Sequence, residues 1–128
     1  MSLRLEAIHH VAVIATDYAR SKHFYAELLG LPVIREHKRE DARDWKIDFQ
    51  LGEAELELFV KPDAPPRKSY PEAQGLRHLA FRVASVAETA EALRKAGVRG
   101  ESLRTDAYTG KAMCFFFDPD GLPLELHE

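Results

Sequence analysis

Apolar positions along this chain follow two spacings in turn, one that suits a strand and one that suits a helix. Residues 8–15 (IHHVAVIA) form an apolar, β-branched run that predicts a largely buried strand. A helix is expected next. Asp17 suits its N-cap, Phe24 and Leu28 fall on one face, and Gly30 stands where a left-handed C-cap residue is wanted. Pro32 blocks any continuation. Strand patterns follow at 33–38, 45–51 and 54–60, the last two joined as a hairpin at Gly52-Glu53. Residues 61–75 (KPDAPPRKSYPEAQG) hold four prolines and no apolar period, and read as a linker or long surface loop.

After that stretch the order returns. Residues 76–83 (LRHLAFRV) predict a strand, and 85–96 a helix with a Ser85/Glu88 capping box, an apolar stripe at Val86, Ala90 and Leu93, and Gly97 at its end. A short strand is expected near 100–104, then one at 112–117, a tight turn at Asp118-Pro119-Asp120-Gly121, and a last strand at 122–127. Each half thus reads β-α-β-β-β. An offset of 68 residues, with no gap, superposes His10 on His78, Ala12 on Ala80, Phe49 on Phe117, and Leu56-Glu57-Leu58 on Leu124-Glu125-Leu126. In both halves a Glu follows the His by 47 residues.

The repeat changes how the composition is read. A chain of 128 residues buries roughly two thirds of its unfolded surface and forms a core without disulfides. Here it divides into module one at about 5–60, the linker at 61–75 and module two at 76–128 of a single domain. Hydrophobic residues make up 45% and charged residues 30%, a globular balance. The net charge is -3 and no run of five Lys or Arg occurs, which argues against nucleic acid or an anionic membrane as partner. The lone Cys114 excludes an internal disulfide and a thiolate zinc site, and suits a reducing, cytoplasmic setting. The first residues lack an apolar signal core, and no apolar run approaches the ~18 residues of a membrane span. No GxGxxG, GxxxxGK or GxSxG pattern appears, so nucleotide binding and serine hydrolysis find no support.

What remains is the repeated His and Glu. If the first and last strands of each half are neighbours, each pair shares one sheet face. His10, Glu57, His78 and Glu125 then offer two imidazoles and two carboxylates, a set that suits one divalent ion such as Ni²⁺, Zn²⁺, Co²⁺, Mn²⁺ or Fe²⁺. Strand alternation directs His9 to the opposite face from His10. Glu55 and His127 lie two positions from Glu57 and Glu125 and are expected at the rim, while His23 and His37 have no counterpart and read as solvated. Arg39, Arg43 and Lys46 either present cations to an anionic substrate or form a solvated mixed-charge loop. Phe115, Phe116, Phe117 and Trp45 are expected in the core, with pocket lining as the lesser reading, and Cys114 as a buried, inert thiol.

HHVAV, FYAELLGL, LELF, LRHLAF and DPDGLPLEL, in this order, resemble the vicinal oxygen chelate superfamily over nearly the whole chain, and within it glyoxalase I (lactoylglutathione lyase) and its small bacterial relatives. The resemblance implies an α+β fold of two βαβββ modules forming a cupped sheet around a metal, with His10, Glu57, His78 and Glu125 as ligands. It implies a lyase or isomerase in which Glu125, with Glu57 beside it, moves a proton between adjacent carbons of a thiol hemithioacetal through an enediolate held by the metal. Glu at the second ligand position sets the pattern apart from methylmalonyl-CoA epimerase, and four ligands set it apart from the dioxygenases and fosfomycin-modifying enzymes. The γ-glutamyl clamp of glyoxalase I falls on Ile14 and Lys61, neither of which forms a bidentate carboxylate grip. The alternatives are a drug-binding protein of the same fold and a related epimerase or dioxygenase. A homodimer is expected, with the modules paired within a chain or exchanged between chains.

Overall fold

The computed structural model describes residues 2–128, which form two compact units divided between Ala64 and Pro65. The boundary falls inside the proline-rich stretch, where neither segment builds regular structure. No helix among the described residues is long and apolar enough to cross a membrane.

In the first unit, β1 (His10–Ala15) leads into α1 (Tyr18–Lys22), and β2 (Val33–Arg39), β3 (Asp44–Leu51) and β4 (Ala54–Val60) complete a four-stranded sheet in the order β1-β4-β3-β2. β1 runs parallel to β4, and the other neighbours are antiparallel. Asp17 caps α1 by accepting from the Arg20 backbone N–H at 2.8 Å. The helix does not stay regular as the spacing predicted. From His23 to Leu28 it widens into a π-helix, closed by a bond from Leu29 N–H to Phe24 C=O at 2.9 Å. The wider turn carries two adjacent aromatics inward. Phe24 and Tyr25 are both buried, their rings 5.0 Å apart, and Tyr25 lies 6.0 Å from Phe49. Beneath them the sheet buries Val13, Ile47, Phe49, Leu56 and Leu58. At the β3–β4 hairpin Gly52 takes φ 59°, a backbone that a side chain would strain.

The second unit repeats this plan: β5 (Leu79–Arg82), α2 (Val86–Lys95), β6 (Arg104–Thr105), β7 (Ala112–Phe117) and β8 (Pro123–His127), with sheet order β5-β8-β7-β6. Ser85 caps α2 as read, its Oγ accepting from Glu88 N–H at 3.2 Å, and the Glu128 side chain accepts from Val86 N–H at 2.9 Å. Val86 and Leu93 bury against Cys114, Phe116, Leu124 and Leu126. The strand expected at 100–104 is broken. Gly100 bridges Phe116, the chain leaves the sheet, and pairing resumes only at Arg104. A Cβ at Gly100 would lie 3.1 Å from the Phe115 carbonyl oxygen, so a side chain there would push β7 back by a few tenths of an ångström. The Asp118–Gly121 turn is built by Asp118, whose Oδ1 accepts from the N–H groups of Asp120 and Leu122, both at 2.9 Å.

The register corrects one part of the gapless repeat. Phe49 pairs with Leu56, but it is Phe116, not Phe117, that pairs with Leu124. Phe49 and Phe116 are the buried equivalents, and Phe117 faces the other side of its sheet. The third strand of the second unit is therefore displaced by one residue relative to the first, and a one-residue displacement exchanges the faces.

Candidate metal and substrate site

Because β1 is the parallel neighbour of β4, Ala12 stands across from Glu57, and His10, one pleat earlier, projects on the same face. The His10 Nδ1 to Glu57 Oε2 distance is 3.7 Å. β5 and β8 repeat the arrangement, with Ala80 across from Glu125 and His78 two residues before it. His78 Nε2 lies 3.4 Å from Glu125 Oε1. His78 itself precedes β5, which is shorter than the predicted strand. Each sequence-selected pair is thus assembled within its own unit, on the sheet face opposite the helix. Among the described residues no group of three or more His, Cys, Asp or Glu side chains is gathered closely enough to hold an ion. The donor chemistry fits: each unit pairs an imidazole nitrogen with a carboxylate oxygen, and neither His is buried.

The two carboxylates have different surroundings, because different residue types stand across from them on the neighbouring strand. Across from Glu57 on β3 stands Asp48, with Lys46 one pleat on; across from Glu125 on β7 stands Phe115, with Met113 one pleat on. Glu57 is tied into charge. Lys46 Nζ lies 3.6 Å from Glu57 Oε1 and bonds both oxygens of Asp48 at 2.8 and 3.0 Å. Asp48 is only 2% exposed and also meets Arg35 Nε at 3.2 Å. Glu125 is buried at 7% exposure with His78 as its ion-pair neighbour, and the His78 ring stands edge-on to Phe115 at 5.0 Å.

His9 departs from the expectation. β1 begins only at His10, so strand alternation does not govern His9, and its Nδ1 lies 2.9 Å from His10 Nδ1. One of these nitrogens must carry the proton and the other accept it, which leaves His10 Nε2 free for another partner. Glu55 binds Arg35 at 2.8 Å, and His127 binds Asp106 at 3.0 Å, both beside their carboxylate neighbours as rim groups. The Asp106 bond raises the His127 pKa above its ordinary value. His23 and His37 are exposed, as read.

Arg39 and Lys46 lie on strands rather than in a solvated loop, and acids already engage both. Arg39 grips Asp44 bidentately at 2.7 and 2.6 Å, and Lys61, at the position of the γ-glutamyl clamp, joins at 2.7 Å. These bonds hold the Asp44 carboxyl well below the usual carboxylate range. Ile14, the other clamp position, is 55% exposed and offers no polar group. Cys114 is buried, and desolvation pushes its thiol pKa up, as an inert thiol requires.

Beside His78, within the second unit, a cavity of about 540 Å³ includes Phe115, Phe117 and Pro123 in its apolar lining, and its charged lining mixes Arg67, Lys68, Arg77 and Arg104 with Glu72 and Glu101. The Arg104 guanidinium lies 5.1 Å from the Phe115 ring centre. Phe115 and Phe117 thus line a pocket, whereas Phe116 is core. Sequence reasoning passed over Asp48 and Arg35. Their signal was an Asp two residues from Lys46 on a strand beside Glu57, readable only with the register in hand.

Comparison with known proteins places this arrangement. The model of the Glyoxalase/Bleomycin resistance protein/Dioxygenase superfamily matches residues 7–126. The uncharacterized protein YwkD of Bacillus subtilis (strain 168) is 50% identical over 125 residues, covering 97% of this chain and 98% of its own. The uncharacterized protein YaeR of Escherichia coli (strain K12) is 50% identical over 127 residues, with 98% of each chain covered. The crystal structure of the glyoxalase family protein from Enterococcus faecalis superposes with a TM-score of 0.90 at 54% identity, covering 96% of this chain and 98% of the other.

Proposed function

This chain belongs to the Glyoxalase/Bleomycin resistance protein/Dioxygenase superfamily, and on that premise we propose that it is a divalent-metal lyase or isomerase of the glyoxalase I type. The observation that carries the reading is the repeated pair: in each unit an imidazole and a carboxylate stand 3.4–3.7 Å apart on the same sheet face. His10, Glu57, His78 and Glu125 are the residues that would hold the ion, either within one chain or across two copies of it. When bound, the ion supplies Lewis-acid polarisation of neighbouring oxygens on the substrate.

The rest falls to the chain's own side chains. Glu125, walled by Ala80 and Phe115, takes a proton from one carbon of the substrate and returns it to the adjacent carbon. Burial of Glu125 beside Phe115 keeps competing water away. His78 and Phe115 fix the edge along which the substrate lies. The absence of an Arg at position 14 and the tie between Lys61 and Asp44 favour a thiol adduct without a γ-glutamyl grip.

The test is a screen of methylglyoxal adducts with several thiols on the Ni²⁺, Zn²⁺ and Mn²⁺ forms, with metal content measured for the wild type, Glu57→Ala and Glu125→Ala. Turnover in at least one form, and loss of metal in both variants, is expected. Full occupancy in both variants would sink the reading. The aromatic cavity beside His78 favours one second reading, sequestration of a small molecule without turnover. Tight binding of an aromatic compound by metal-free protein would reverse the order.

A further inference from the structure

The two carboxylates proposed as ligands are not equivalent, and Lys46 is the reason. Its ammonium is anchored on the buried Asp48 carboxylate by contacts of 2.8 and 3.0 Å. Arg35 holds the same Asp48 from β2 at 3.2 Å, which fixes the anchor from a second side. From there Lys46 Nζ faces Glu57 Oε1 at 3.6 Å, while Glu57 Oε2 faces His10 at 3.7 Å. Lys46 is 24% exposed and Glu57 16%, so the attraction is only partly screened by water. Lys46 also lies 5.6 Å from the centre of the Phe59 ring, across from it in the sheet, which limits where the ammonium can go. In the second unit the equivalent position is Met113, and no lysine or arginine stands within ion-pair distance of Glu125 among the described residues.

We propose that Lys46 is a positioning residue that competes with the metal for Glu57. It offers that carboxylate a second partner, which no lysine or arginine at ion-pair distance offers Glu125 among the described residues, and so loosens one arm of the ligand set. The inference rests on the four-ligand reading above. A cation beside a ligand acts in two ways: it stabilises the carboxylate when no ion is present, and it repels an incoming divalent ion. Both effects weaken binding. Removing the charge while Asp48 and Arg35 stay in place adds negative potential at the site and tightens binding.

The experiment is calorimetric titration of metal-stripped protein with Zn²⁺ and with Ni²⁺, for wild type, Lys46→Met, Lys46→Arg and Met113→Lys. Lys46→Met is expected to bind about tenfold more tightly, since one unit charge at contact range is worth more than that at the effective dielectric of a protein surface. Lys46→Arg should stay within about threefold of wild type, because the charge is kept. Met113→Lys installs the same competitor beside Glu125, and is expected to weaken binding by a similar factor. That arm also decides the matter if Lys46→Met fails to fold, since it leaves the Asp48 network intact. Binding by Lys46→Met and Met113→Lys no different from wild type overturns the role of Lys46 alone. A wild-type protein that takes up neither ion overturns the metal reading itself.

Discussion

Replacing Glu125 by Gln should make the metal-free protein more stable, not less. Glu125 is 7% exposed, with Ala80 on one side of it, Phe115 on the other, and the His78 imidazole 3.4 Å away as its ion-pair neighbour. Taking a carboxylate out of water costs several kcal/mol even after the protein relaxes, and an imidazole at that distance returns only part of it. An amide of the same shape escapes most of the charge penalty and keeps the packing. Exchanging a poorly compensated buried charge for a neutral group commonly gains about 1–4 kcal/mol, and contact with partly hydrated His78 places this case near the lower end, about 1–2 kcal/mol. At this chain length that corresponds to a rise of roughly 4–8 °C in Tm. The assay is thermal and urea unfolding of both proteins in excess chelator, so that no metal contributes. The same substitution should reduce affinity for Zn²⁺, because a neutral amide oxygen replaces an anionic ligand. A Glu125→Gln protein that is less stable than wild type in chelator would refute the reasoning, since it would mean that the charge is placed for the fold and not for the site.

Two further outcomes concern the scaffold that supports the sites. Asp44 is held below its usual range by Arg39 and Lys61, so the stability it provides is fully present above the unfolded value near 3.8 and is lost as pH falls through that value toward the lower folded one. Asp44→Asn should therefore lower stability at neutral pH and flatten the acid limb of an unfolding profile; an unchanged acid limb would contradict this. Asp118→Ala strips the acceptor from the Asp120 and Leu122 amides, and should cost about 1–3 kcal/mol in urea unfolding, with Asp118→Asn recovering part of it because its amide oxygen can still accept.

Much of this protein is written locally. The Asp17 and Ser85 caps, the Gly52 hairpin and the Asp118–Gly121 turn rest on contacts between residues a few positions apart, so the residue types suffice to place them. The alternation of Leu56, Glu57 and Leu58, and its copy at Leu124, Glu125 and Leu126, likewise assigns a core face and an open face within each strand. Its repetition at a fixed offset selects the two His–Glu pairs before any contact is known. What it leaves open is which neighbour each open-face residue meets. Register belongs to a pair of strands, not to one, and a gapless comparison sets Phe117 against Phe49 when Phe116 occupies that place. The pairing of β3 with β4 puts Lys46 and Asp48 beside Glu57, and that of β7 with β8 puts Met113 and Phe115 beside Glu125. The π-helix at His23–Leu28 escapes the sequence for a similar reason, since it depends on Phe24 and Tyr25 both finding room against Phe49 in the core. The choice of the two His–Glu pairs is thus a property of the sequence alone, because it needs only alternation and repetition. The inequality of the two carboxylates is a property of the tertiary structure, because charge and burial act across strands that lie far apart in the chain.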